Sequence, residues 1–114
     1  MKVFNLVQIQ VLDLTKERLL PRKFTLPNAD RLGSCMCLKV FFHTGAGRIV
    51  LCAGFESGML ALWDVLSGAA LASVRVHQEP LLCLDVCVQR GLLVTGSAER
   101  KIGAVDISDL TKVW

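Results

Sequence analysis

The chain has no tyrosine, only three prolines, and charged side chains at just 20% of its 114 positions. Its 13 basic and 10 acidic residues leave a net charge of +3, far from the clustered Lys/Arg field of a dedicated nucleic-acid binder. The densest basic group is Lys16, Arg18, Arg22 and Lys23, but Glu17 interrupts it and no aromatic residue is interleaved. It reads as a solvated turn and strand edge, and no nucleic-acid partner is expected. With 53% of residues hydrophobic, disorder and collagen-like structure are excluded as well, and the length allows one domain at most.

A membrane span and a leader are also missing signals. Asn5, Gln8 and Gln10 break any apolar run at the N-terminus and no small-residue cleavage site follows, so no secretory signal is expected. From Gly58 to Val74 the only charge is Asp64, yet Ser67-Gly68 divides that stretch as a turn between two short strands, and no membrane partner is expected. Five cysteines, an odd number, lie inside apolar runs (Cys35, Cys37, Cys52, Cys83, Cys87). They read as reduced, buried thiols of an intracellular protein, in the cytoplasm and/or nucleus.

No stretch keeps the three-to-four-residue spacing of a long helix. Short apolar runs punctuated by Gly, Pro, Asp and Ser predict an all-β chain. Candidate strands are Val3 to Leu14, Leu19 to Leu26, Met36 to Phe42, Ile49 to Phe55, Met59 to Val65, Ala70 to Val76, Leu81 to Val88, Leu92 to Ser97 and Ile102 to Ile107, with another begun at Lys112.

The runs repeat. Met36 to Phe42 matches Leu82 to Val88 at an offset of 46; after the longer loop His43 to Arg48, set against Gln89-Arg90, the offset becomes 42. At that offset Gly54 falls on Gly96, Leu60 on Ile102, Asp64 on Asp106 and Val65 on Ile107. A weaker copy ends in Val11-Leu12-Asp13-Leu14, like Leu62-Trp63-Asp64-Val65. A period in the low forties with four strands per unit is a propeller-blade signature.

The run Leu51 to Val65, ending in Trp63-Asp64, resembles the second half of a WD repeat, and His77 to Val86 resembles the opening of the next. The chain is identified as a member of the WD-repeat β-propeller family. The resemblance implies about two and a half to three four-stranded antiparallel blades: the end of one over 3–26, a full blade over 35–76, and most of a further one over 77–114. A ring needs at least four blades, so a partial propeller is expected, a fragment with edges and faces for remaining blades or for self-association. The isolated chain is expected to be marginal, oligomeric or aggregation-prone.

In WD repeats a His, a Ser/Thr, an Asp and a Trp form a hydrogen-bonded chain that locks three strands. Carried over, the later repeat offers His77 and Thr95, with Glu99 at the Asp place and Val105 at the Trp place. The earlier repeat has Trp63, with Arg31, Ala53 and Ser57 in the other places. Neither network is expected to be complete. Trp63, Asp64, His77, Thr95 and Asp106 are therefore structural repeat positions; Asp13, Asp64 and Asp106 each end a strand, where a short carboxylate accepts backbone N–H bonds in a turn.

Catalytic and metal-binding patterns are absent. Cysteine separations of one and three are wrong for paired zinc ligands, and Cys37 and Cys83 are explained as repeat equivalents. Only His43 and His77 could serve a nucleophilic cysteine, and no spacing ties either to one. Gly45-Ala46-Gly47 lacks the Lys-Ser/Thr of a phosphate loop and reads as a hairpin loop. No metal, cofactor or catalytic residue is expected, so the chain is not expected to be an enzyme.

The family resemblance implies a non-catalytic scaffold binding other proteins. A narrower likeness, in Arg31 to Leu38, Ala53 to Gly58 and His77 to Pro80, implies a complex that assembles phosphatidylinositol-3-kinase-like kinases as first partner. The alternatives are a cysteine-based redox or metal-binding protein and a truncated, non-functional product.

Overall fold

The computed structural model describes residues 9–13, 18–24, 26 and 31–109. Among these residues nine strands run in chain order: β1 Ile9–Asp13, β2 Arg18–Phe24, β3 Cys35–His43, β4 Arg48–Phe55, β5 Met59–Asp64, β6 Ala70–Arg75, β7 Leu81–Cys87, β8 Leu92–Ser97 and β9 Ile102–Asp106. Among the described residues there is no α-helix, and a short 3-10 turn lies at Val88–Arg90. The expected strand begun at Lys112, and the start of the one predicted from Val3, lie outside the described residues.

The strands form three antiparallel meanders: a two-stranded first sheet β1–β2, a four-stranded second sheet β3–β4–β5–β6 and a three-stranded third sheet β7–β8–β9. Tight connections keep chain neighbours paired. In the β4–β5 hairpin the Gly58 N–H donates to the Phe55 carbonyl at 2.9 Å, and Gly58 sits at φ +88°. A side chain there would collide with the carbonyl of His77, because the Gly58 carbonyl takes the N–H groups of Val76 and His77 at 3.1 and 3.2 Å. This glycine thus clips one hairpin to the link that leads into the third sheet.

The registers of the two larger sheets repeat residue for residue. Cys37 pairs with Gly54 and Cys83 with Gly96, each just after a bulge, between Cys35 and Cys37 in one strand and between Leu81 and Cys83 in the other. Leu51 pairs with Trp63 and Leu93 with Val105. The offsets read from sequence are therefore spatial equivalences, and the bulges bend both inner strands at the same point.

Two clusters form the core, one on each side of the second sheet. Toward the third sheet, Phe41, Val50, Cys52, Leu60 and Leu62 meet Leu81, Leu93 and Ile107. Each leucine buried in this seam contributes about 1.5–3 kcal/mol. On the opposite side Leu51, Ala53, Phe55, Ala61 and Trp63 meet Leu32 and the Phe24 side chain of β2.

Candidate functional site

The polar motif residues gather where the third sheet meets the link from β6. His77, only 3% exposed, lies between Thr95 on β8 and Glu99 in the β8–β9 turn. Its Nδ1 is 3.0 Å from Glu99 Oε1, and its Nε2 is 2.7 Å from Thr95 Oγ1. A carboxylate only accepts, so Nδ1 carries a proton, and in the neutral ring Nε2 accepts from the Thr95 hydroxyl. The Gln78 N–H donates to the same Glu99 oxygen at 3.2 Å. Glu99 fills the aspartate place, reaching the ring and a backbone donor together, while Val105 stands in the tryptophan place and the network of four is not complete.

Burial works to raise the Glu99 pKa, yet the Gln78 N–H, the His77 ring, Lys101 and Ser97 together hold the carboxyl below its ordinary value. Gly103 leaves room for the arrangement, since a Cβ there would lie 2.5 Å from both Thr95 Oγ1 and Val76 Cγ1.

In the earlier repeat the polar tie is missing, with exposed Arg31 in the place of His77. Ala53 stands where Thr95 does, and Trp63 is 1% exposed, edge-on to Phe24 and Phe55 with ring centroids 6.2 and 6.5 Å apart. Ser57 puts its hydroxyl into this setting, buried and without a hydrogen-bond partner.

Asp64 and Asp106 close turns on different sheets. Asp64 Oδ1 accepts the N–H groups of Leu66 at 2.9 Å and Ser67 at 3.4 Å, while Oδ2 is 3.4 Å from Arg48. Asp106 Oδ1 accepts the Ser108 hydroxyl at 2.6 Å and its N–H at 2.9 Å, which lowers the Asp106 pKa. Asp13 ends β1, but its side chain lies outside the described residues.

His43 is the seam residue that sequence reasoning missed. Only 6% exposed, it accepts the Ala46 N–H at Nδ1, 2.9 Å away, and so donates from Nε2 to the Ile107 carbonyl of the third sheet at 2.5 Å. Its repeat counterpart is Gln89, so repetition carried no hint of it. A shallow cleft of about 410 Å³ opens beside it, lined by Gly45, Ala46, Arg48, Leu71 and Ser108. Both ring nitrogens of His43 are engaged, which leaves neither free as a base.

The thiols differ from one another more than expected. Cys52 is buried, Cys35, Cys37 and Cys87 are partly covered, and Cys83 is exposed, so the reading of all five as buried is corrected. The Leu81 side chain, which crowds the Gly54 and Cys37 pair, accounts for the cover on Cys37; Gly96 and Cys83 have no such neighbour. Burial pushes the Cys37 thiol up to about 11 and Cys52 up to about 12, and raises Cys35 also. Among the described residues no three His, Cys, Asp or Glu side chains gather as a metal site, and no helix is long and apolar enough to cross a membrane.

The meanders, their shared register and the His77 tie define the class: the fold is that of blades of a WD-repeat β-propeller. A chain of the mitotic checkpoint complex, of WD-repeat propeller fold, superposes with a TM-score of 0.65 at 20% identity, over 91% of this chain and 29% of that one. No family model matches the sequence. In sequence the chain is similar to guanine nucleotide-binding protein subunit beta-like protein 1 of Mus musculus, 32% identical over 84 residues, which is 73% of this chain. It spans 26% of the length of that curated relative.

Proposed function

We propose that the chain is a non-catalytic scaffold for other proteins, working inside the cell, in the cytoplasm or nucleus. The observation that carries this reading is the state of the motif side chains: His77, Thr95 and Glu99 tie strands together, and Asp64 and Asp106 close turns. What remains for function is loops and sheet faces, the surfaces on which scaffolds bind. Five free cysteines support a reducing compartment.

The family resemblance read from the sequence extends the proposal to a more specific role, in assembly of phosphatidylinositol-3-kinase-like kinase complexes. With the full-length protein immobilised, purified components of that assembly machinery should be retained and co-elute. Failure to retain any of them removes this role. The cysteine-based alternative rests on exposed Cys83, and a thiol titration with and without chelator decides it: fast or metal-protected thiols support it, and thiols that react only slowly or after unfolding oppose it.

A further inference from the structure

The second and third sheets are counterparts, so each wall of the seam between them has an equivalent elsewhere in the chain. In the second sheet Val50, Cys52, Leu60 and Leu62 are wholly buried against the third. Their counterparts Leu92, Val94, Ile102 and Ala104 form the far face of the third sheet. There Val94 is 37% exposed and Ile102 82%, and Ala104 is exposed too. The other wall shows the converse. Leu84, Val86 and Val88 pack into the seam, whereas their counterparts Leu38, Val40 and Phe42 on β3 are 51%, 55% and 53% exposed. One open face therefore matches the left wall of an existing interface, and the open β3 part of the other matches the right wall, whose remaining counterparts Leu51 and Val65 are covered by Phe24 and Leu32.

We propose that copies of this chain join head to tail, the open face of the third sheet on one copy receiving the open face of β3 on the next. The joint continues the seam already present within each chain. Charge agrees: Lys39 Nζ lies 3.2 Å from Asp85 Oδ1 across the seam, and these two residues are themselves counterparts. The joint thus sets Asp85 of one copy beside Lys39 of the next, opposite in sign. A two-fold pairing of third-sheet faces would leave Leu38, Val40 and Phe42 uncovered. The docking sheet takes the place of the receiving copy's two-stranded first sheet, so Phe24 must leave the cluster it forms with Trp63.

The seam also predicts which thiols meet. Cys37 Sγ is 3.6 Å from the Leu81 carbonyl, and the counterparts of these residues are Cys83 and Cys35. Across the joint, exposed Cys83 stands beside Cys35 of the next copy. Such heterologous contacts propagate until a ring closes.

Native mass spectrometry and light scattering on the full chain test this directly. The wild type should show concentration-dependent oligomers. The pair Val94→Glu and Ile102→Glu, and separately the pair Leu38→Glu and Val40→Glu, should each give monomer. Mixing the two double variants should restore a 1:1 dimer of twice the monomer mass, because each keeps one intact face. Diamide, which takes two electrons and two protons from a thiol pair, should link copies through Cys83 and Cys35, and Cys83→Ser or Cys35→Ser, which leave the faces intact, should abolish the linked species. A wild type that stays monomeric at the highest attainable concentration, a mixture that fails to pair, or a diamide link independent of these two cysteines overturns the proposal.

Discussion

One methylene separates Glu99 from the aspartate expected in its place, and the longer arm lets one oxygen serve both the His77 ring and the Gln78 N–H. Because its pKa is held below the ordinary 4.5, the stability it adds is complete above that value and lost as the pH falls through the folded-state value. Glu99→Gln should therefore flatten the acid limb of a stability–pH curve followed by chemical denaturation; an unchanged limb would show that the carboxylate is not the group titrating. Gly103 is the second sensitive point. Adding the methyl of Gly103→Ala pushes on Thr95 and Val76 at 2.5 Å, and the expected loss is about 1–3 kcal/mol in thermal unfolding. The thiols sort by cover: alkylation at mildly alkaline pH, followed by mass spectrometry, should label Cys83 first and Cys52 only on unfolding, since burial holds Cys52 at about 12.

At the scale of elements, the two repeats reach one geometry by different chemistry. The third sheet is tied by polar bonds from His77, while the second is held on the corresponding face by Trp63 against Phe24 and Phe55. Ser57 is a polar remnant in that apolar setting, its buried hydroxyl unpaired. Ser57→Ala should thus be neutral or stabilising, by up to about 1 kcal/mol in urea unfolding, and a clear loss would reveal a partner for the hydroxyl. The strands were legible because alternation and turn residues are local signals; Leu92–Ser97 is found as read, and most others within a residue or two. The repeat was legible because pairing preserves its offsets. The double contact of Glu99 was not legible because reach depends on a rotamer, and His43 was missed because its partner, the Ile107 carbonyl, carries no side-chain signature. Uneven cover on Cys37 and Cys83 was equally hidden, since it depends on which neighbour Leu81 supplies.

For the molecule as a whole, the meander order has a kinetic consequence. Within each sheet every strand pairs with its neighbour in the chain, across turns of only a few residues. The seam instead joins groups as distant as His43 and Ile107, 64 positions apart. Loop closure makes such contacts slow to form, so each sheet can be built before the two are pressed together, with the seam closing after the rate-limiting barrier. Leu81→Ala should then destabilise by about 2–5 kcal/mol. Nearly all of that should appear in stopped-flow chevrons as faster unfolding, with refolding almost unchanged. A matching slowdown of refolding would instead put the seam in the folding nucleus. The seam is thus expected to act as a latch that governs how long the assembled sheets persist, while the hairpins govern how quickly they arise.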